Sequence, residues 1–168
     1  MKRIARAGYF RAMFKRFTLL LVAAFATLSA PLAGQDRDVP YWATIDTEEL
    51  YMRVGPSQEY KIEWVYRRDG LPLKVIRVVD GWRLVRDHEG AEGWVNSNLL
   101  SATRGAIVVG EGLAAMRESP TDNAKLKWNA EPGVVGRLGD CEAGWCEFDV
   151  AGREGWVRAE RLWGAGEP

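Results

Sequence analysis

The stretch that decides the fold is MRVGPSQEYKIEW, from Met52 to Trp64. A related stretch, MRESPTDNAKLKW, occurs again from Met116 to Trp128. Met, Arg, Pro and Trp recur at matching offsets in the two copies. Internal repeats are the first feature to look for in a sequence, since a missed repeat changes the whole fold assignment. The two copies predict that one small architecture occurs twice in this chain.

The similarity extends well beyond the repeated phrase. Residues 41–101 align with residues 105–164 with two one-residue gaps and eleven identities, most of them Trp and Gly. Outside the phrase, the first copy shares Gly70, Gly81, Trp82, Gly93, Trp94, Val95 and Leu100 with the second. We therefore expect two tandem domains, 41–101 (repeat one) and 105–164 (repeat two). The linker near 102–104 is short, so the repeats should pack against each other.

Short apolar runs bounded by turn residues predict an all-β fold with five strands in each repeat. In repeat one the expected strands are Glu48–Arg53, Lys61–Tyr66, Leu71–Val79, Trp82–Asp87 and Gly93–Ser97. Asp80-Gly81 predicts a two-residue hairpin turn, and the broken alternation at Val75-Ile76 and at Val78-Val79 predicts bulges or strand bends. Asn98–Leu100 has the pattern of a single 3₁₀ turn. Five short strands close most economically as a small barrel.

The first 34 residues have the pattern of a secretory signal peptide. Six Lys and Arg lie in the first sixteen positions without an acid, and an apolar run ending in small residues follows. The uninterrupted apolar core, Phe17–Leu28, is shorter than the roughly 20 residues that a membrane span needs, so a permanent membrane anchor is the less favoured alternative. Removal of 1–34 would leave 17 basic against 23 acidic residues, an acidic domain that is not typical of nucleic-acid binding.

The order of motifs in each repeat resembles the bacterial Src-homology-3-like domain. The marks are Met-Arg, Gly-Pro-Ser, Tyr, a long β-run, Gly-Trp, then Gly-Trp-Val and a closing Leu. The likeness is looser in repeat two, where VGPS at 54–57 becomes ESPT at 118–121. The resemblance implies a small β-barrel of an exported protein, two in tandem here. It also implies a binding module of the periplasm or cell envelope that contacts peptidoglycan or a peptide.

No residue set predicts catalysis, a cofactor or a metal. The single His, His88, lies in the turn DHEGAEG, where a solvent-exposed role is the simpler interpretation and a general base the alternative. One His and two Cys make a poor zinc site. We therefore expect a non-enzymatic binding module, with a peptidoglycan, peptide or protein partner. The alternative is a protein–protein adaptor or structural scaffold in the periplasm, and a small hydrolase is the least favoured interpretation.

The two cysteines predict a disulfide across a hairpin. In GDCEAGWCEF, a turn at Ala143-Gly144 makes Cys141 and Cys146 a directly opposed pair of the non-hydrogen-bonded kind. Such a pair lies at the near edge of disulfide reach, and an exported protein meets an oxidising compartment. We predict a Cys141–Cys146 disulfide that reinforces repeat two locally. A strained regulatory disulfide is the alternative.

The aromatic residues are the candidate binding groups. Tyr51 and Tyr60 correspond to alanines in repeat two, which points to repeat one as the binding copy. The candidate ligand-binding residues are Tyr51, Tyr60, Trp64 and Trp82. Trp94 and Trp156 are expected mainly to fill the barrel interiors. Arg53 and Arg117 are expected to tie the loop of the phrase to a carboxylate.

Overall fold

The computed structural model describes residues 38–168, so the predicted signal peptide lies outside the described residues. Within that range the protein is all-β, with two short 3₁₀ helices, Ser97–Leu99 and Ala159–Arg161. No helix in this part of the chain has the length and apolar character to cross a membrane. The predicted fold class is therefore confirmed.

Each repeat is one antiparallel sheet of seven strands. Repeat one contains β1 (Tyr41–Ile45), β2 (Leu50–Arg53), β3 (Ile62–Tyr66), β4 (Pro72–Val79), β5 (Trp82–Arg86), β6 (Glu92–Asn96) and β7 (Leu100–Ser101). Repeat two contains β8 (Gly105–Val108), β9 (Ala114–Arg117), β10 (Leu126–Ala130), β11 (Val135–Glu142), β12 (Trp145–Val150), β13 (Arg153–Arg158) and β14 (Leu162–Trp163). The strand orders are β3-β2-β6-β5-β4-β1-β7 and β10-β9-β13-β12-β11-β8-β14, so the two sheets have one topology.

The prediction of five strands in a closed barrel differs from this architecture. The additional strands are the first and last of each repeat, and the outermost strands of each sheet are not paired with each other. Four of the five residues of β1 are buried. It therefore lacks the alternation of apolar and polar residues that identifies a strand covered on one face only. The last strand has two residues and pairs only with the first.

The structure contains the predicted hairpin turn and one bulge. Val79 pairs with Trp82 across Asp80-Gly81, and Asp80 takes a φ of 44°. The register of β4 and β5 shifts between Val75 and Arg77, at the first break in the alternation, whereas Val78 and Val79 pair with β5 without a shift. Such a bulge lets a long strand bend while its core side chains stay on one face.

The predicted disulfide is present at the hairpin of repeat two. Cys141 pairs with Cys146, and Glu142 pairs with Trp145 around the turn. The sulfur atoms are bonded, and the Cα atoms are 4.0 Å apart. Cys146 is fully buried, so the bond connects the exposed end of β11 to the core of repeat two.

Each repeat has its own core, built from alternate residues of its strands. Leu50 and Met52 in β2 point inward, as do Ala114 and Met116 in β9. The other principal core residues are Ile45, Leu73, Val75, Val85 and Val95 in repeat one and Val108, Leu138, Phe148, Val157 and Leu162 in repeat two. The shared Met of the repeated phrase is therefore a core residue in both copies.

The two repeats pack against each other, as the short linker predicts. Ile107 of β8 belongs to the core of repeat one. Trp42 Nε1 donates a hydrogen bond to the Gly166 carbonyl at 3.1 Å, and its ring meets Trp163 edge-on at 4.7 Å. A Cβ atom at Gly105 would lie 2.6 Å from the Gly70 carbonyl oxygen. Repeat two thus completes the hydrophobic interior of repeat one.

Candidate functional site

The loop of the repeated phrase is held in the same way in both repeats. In repeat one the Val54 N–H donates to the Lys61 carbonyl at 3.1 Å. The matching bond in repeat two runs from Glu118 to Lys125 at 2.9 Å. The residues that are identical in the two copies therefore give both loops the same conformation. The residues that differ are the side chains that the two loops present to the solvent.

Arg53 and Arg117 tie these loops to the sheet. Arg53 Nη1 donates to the Tyr60 carbonyl at 2.7 Å, and Arg117 Nη1 donates to the Ala124 carbonyl at 2.7 Å. The expectation that these arginines bind a carboxylate is therefore wrong. A backbone carbonyl takes that place because the loop turns back over the strand and leaves a peptide oxygen within reach of the guanidinium.

Tyr60 lies on Gly55. A Cβ atom at Gly55 would come within 2.7 Å of three atoms of the Tyr60 ring, so the ring rests where a side chain would stand. Repeat two has Ser119 and Ala124 at these positions, a pair without this conflict. The ring remains 48% exposed, so the loop supports one face of Tyr60 and presents the other.

Tyr51 and Tyr60 are linked through Arg53. The Arg53 guanidinium lies 5.9 Å from the centre of the Tyr51 ring, and the same guanidinium holds the Tyr60 carbonyl. The Tyr51 hydroxyl donates to the Glu49 carboxylate. This hydrogen bond raises the pKa of the Tyr51 phenol and is the main reason that the pKa of Glu49 is lowered, with Arg67 also contributing. Both groups remain in contact with water.

Trp64 faces away from Tyr51. Tyr51 pairs with Val65 and Met52 pairs with Trp64, and successive pairs of a β-hairpin lie on opposite faces. Trp64 is 56% exposed because β3 is an edge strand, and its ring meets Tyr66 edge-on at 6.5 Å. The structure therefore brings Tyr51 and Tyr60 together and places Trp64 around the edge of the same hairpin.

Trp82 lies on a different part of repeat one. It is half-buried in β5, opposite Val79 and Asn96, and β6 separates β5 from β2. Its counterpart in repeat two, Trp145, is only 4% exposed, with Arg158 4.4 Å from the ring centre. Of the four predicted aromatic residues, Trp82 is the one outside the β2–β3 hairpin.

Trp94 and Trp156 do not fill the interiors, contrary to the expectation from sequence. Trp94 pairs with Arg53 and is half-buried, whereas its neighbours Gly93 and Val95 are buried. A tryptophan beside a glycine on a strand lies on the opposite face from it. A cavity of about 290 Å³ opens beside Trp156 in repeat two. This cavity was not foreseen from the sequence.

The exposed apolar side chains of the β2–β3 hairpin form what we call the hairpin surface. It consists of Tyr51, Val54, Tyr60, Ile62 and Trp64. Sequence reasoning missed Val54 and Ile62, although an apolar residue beside a loop that also contains Gly-Pro and Tyr was a usable signal. Repeat two exposes Leu126 and Trp128 on its corresponding hairpin. The richer surface is the one in repeat one.

His88 is not the solvent-exposed residue that the sequence suggests. It is half-buried, with its ring 6.3 Å from the ring of Trp163. Nδ1 is buried and has no hydrogen-bond partner within residues 38–168. The neighbouring Asp87 is 5% exposed and accepts a hydrogen bond from the Tyr66 hydroxyl at 2.8 Å. The hydrogen bond from Tyr66 to Asp87 fixes the turn, and the adjacent His88 therefore lies beside Trp163 of repeat two.

These observations define a small, duplicated, all-β domain of the Src-homology-3 type. The family model of the bacterial SH3 domain matches residues 46–102 and 110–164. The chain therefore belongs to the bacterial SH3 domain family.

Relatives of known name are larger than this chain. YrvJ of Bacillus subtilis (strain 168), whose name provisionally assigns it as an N-acetylmuramoyl-L-alanine amidase, is 24% identical over 92% of this chain and 32% of its own length. The chain thus spans about a third of that relative. NlpC2 from Trichomonas vaginalis has 13% identity and a TM-score of 0.34 over 76% of this chain and 49% of its own. An NlpC/P60 family protein from Bacillus cereus has 13% identity and a TM-score of 0.33 over 73% and 56%.

Proposed function

We propose that this protein is a non-enzymatic binding module of the cell envelope that contacts peptidoglycan or a peptide through the hairpin surface. The observation that carries the proposal is the exposure of Tyr51 and Tyr60 on one face, and of Trp64 around the edge, of a single hairpin of a bacterial SH3 domain. Aromatic rings offer large apolar area at low entropic cost, and a rim of charge such as Glu49 and Arg53 provides polar contacts. Both features suit a ligand that mixes apolar and polar groups.

Three further observations support an envelope location. The Cys141–Cys146 disulfide is typical of an oxidising compartment. The basic and apolar pattern of residues 1–34 is typical of export. The name of the relative YrvJ refers to N-acetylmuramoyl-L-alanine, a unit of peptidoglycan. We propose the periplasm or cell envelope as the site of action and no stable membrane span after removal of 1–34.

Co-sedimentation with purified sacculi tests the proposal. Protein lacking residues 1–34 is mixed with sacculi at modest salt, and the bound fraction is measured after centrifugation. We expect Trp64→Ala to lower the bound fraction several-fold. Trp128→Ala is the matched control, because Trp128 is the counterpart of Trp64 in repeat two and is also exposed, at 44%. Wild-type protein that stays in the supernatant would refute peptidoglycan binding, and release of soluble muropeptides would refute the non-enzymatic role.

An adaptor role between proteins is the second candidate, and one observation favours it. β3 is an edge strand of its sheet and carries exposed Ile62 and Trp64. An exposed edge can accept a strand from a partner. This role would be favoured if the protein does not bind sacculi but captures a specific envelope protein, and if Ile62→Lys abolishes that capture.

A further inference from the structure

Repeat two contains a cavity of about 600 Å³ that has no assigned role. Its apolar walls are Leu113, Ala115 and Trp145, and three arginines reach it, Arg117, Arg158 and Arg161. Small-ligand sites in proteins commonly have a volume of this order and combine apolar walls with a few convergent polar groups. In a chain with an acidic balance after residue 34, a cavity with three guanidinium groups is an unexpected concentration of positive charge.

The three arginines come from three separate elements and are fixed by different contacts. Arg117 ends β9 and holds the Ala124 carbonyl. Arg158 ends β13, with its guanidinium 4.4 Å from the centre of the Trp145 ring. Arg161 ends the second 3₁₀ helix and donates to two backbone carbonyls at 2.8 Å each. These contacts hold the guanidinium groups in place before any ligand arrives.

Donor capacity remains on these groups. A guanidinium has five N–H donors. Within residues 38–168, hydrogen bonds engage one N–H of Arg117 and two of Arg161. Arg158 also pairs with Asp122, whose side chain is 69% exposed. An exposed ion pair contributes little to stability, so a ligand anion can take the place of Asp122.

The charge balance of the cavity fits a single negative charge. Besides the three arginines, its lining includes two acids, Asp122 and Glu160, so one positive charge is in excess. A dianion such as phosphate would meet repulsion from both acids. A carboxylate carries one charge and matches the planar fork of a guanidinium with two parallel hydrogen bonds.

Repeat one shows that the scaffold does not require this cavity. Strand register makes Tyr51 the counterpart of Ala115, and Asn96 the counterpart of Arg158. The counterpart of Arg161 in the 3₁₀ helix is Leu99. Repeat one therefore has a tyrosine in place of Ala115 and has one arginine, Arg53, where repeat two has three. The same fold position has different chemistry in the two repeats.

We propose that repeat two binds the carboxylate of a peptide ligand between Arg117, Arg158 and Arg161, with an adjoining small apolar residue against Ala115 and Trp145. The carboxylate belongs to the end of the peptide or to an acidic side chain. This site goes beyond the hairpin surface and lies in the other repeat, so either site can exist without the other.

Three peptides test the proposal on the protein lacking residues 1–34. They are acetyl-Ala-Ala-Ala with a free carboxylate, the same peptide as its amide, and acetyl-Ala-Glu-Ala amide. Binding is followed by NMR from the Trp145 indole N–H and the arginine Nε–H signals. We expect at least one carboxylate peptide to bind roughly tenfold or more tightly than the uncharged amide. The tighter of the two identifies the source of the carboxylate, and equal affinity of all three overturns the proposal.

Two variants with a matched control locate the site. Arg117→Gln should weaken carboxylate binding at least fivefold. Arg137→Gln should leave it unchanged, because Arg137 lies in the same repeat but pairs with Asp149 and is not part of this cavity. Ala115→Tyr, which copies repeat one, should abolish binding without changing any charge. Equal losses in Arg137→Gln and Arg117→Gln, or unchanged binding in Ala115→Tyr, would overturn the assignment. Inorganic phosphate that displaces the peptide at equal concentration would overturn the preference for a single charge.

Discussion

The contact between Gly55 and Tyr60 predicts that the two positions are energetically coupled. A Cβ at Gly55 would come within 2.7 Å of the Tyr60 ring, so Gly55→Ser must push the ring away. Repeat two already has the compatible pair, Ser119 with Ala124. The double substitution Gly55→Ser with Tyr60→Ala should therefore be tolerated better than the sum of its parts.

The magnitude follows from the buried area of the ring. A tyrosine side chain buries about 200 Å² when fully covered, and Tyr60 is 48% exposed. About 100 Å² at about 25 cal/mol per Å² sets an upper limit of about 2.5 kcal/mol for the contact. A displaced ring recovers part of this elsewhere on the surface. We expect Gly55→Ser to cost about 1–2 kcal/mol with Tyr60 present and less than about 0.5 kcal/mol in the Tyr60→Ala background.

The coupling is measured in a double-mutant cycle of wild type, Gly55→Ser, Tyr60→Ala and the double variant. The free energy of unfolding of each protein is obtained in urea, followed by tryptophan fluorescence. Gly81→Ser is the control, because a Cβ at Gly81 meets nothing within 4 Å. Its cost should be the same with and without Tyr60. A coupling energy between Gly55 and Tyr60 no larger than that of the control would show that the ring does not rest on the glycine.

Three further predictions concern stability. Cys141→Ala with Cys146→Ala should lower the free energy of unfolding by about 2 kcal/mol, as expected for a very short closed loop; unmodified protein should show no free thiol in a titration without reductant. Burial, aided by the hydrogen bond to Asp87, raises the pKa of Tyr66 well above its usual range. The unfolded value is about 10, so this stabilisation is complete below that pH and is lost as the pH rises above it. Tyr66→Phe should flatten the decline in urea unfolding between pH of about 9 and 11, and an unchanged slope would contradict this origin. Gly105→Ala should cost about 1–3 kcal/mol, because its Cβ would lie 2.6 Å from a backbone oxygen; wild-type stability would show that the repeats can separate locally.

The repeated fold was accessible from sequence because its signals are local. The Asp80-Gly81 turn, the bulge after Val75 and the Cys141–Cys146 pair depend on residues close together in the chain. β1 could not be predicted, because its burial comes partly from repeat two. The sequence pattern within a strand does not show that a distant part of the chain covers its second face. The same limit explains His88, whose position depends on Trp163.

The candidate sites divide along the same line. Tyr51 and Tyr60 could be singled out from a difference between the two copies, and the structure places both exposed on one hairpin. The cavity at Arg117, Arg158 and Arg161 could not, because its residues come from three elements that only the folded sheet brings together. That Trp64 contacts a ligand stays a prediction, and its place on the opposite face from Tyr51 depends on strand register.

The insertion of Ile107 into the core of repeat one has a consequence for the history of the gene. A duplicated domain that stays independent can be lost again without harm to the remaining copy. Here a later deletion of repeat two would remove a side chain from the interior of repeat one and uncover β1. Selection for the folding of repeat one is therefore sufficient to preserve repeat two, whether or not the surface of repeat two has a function.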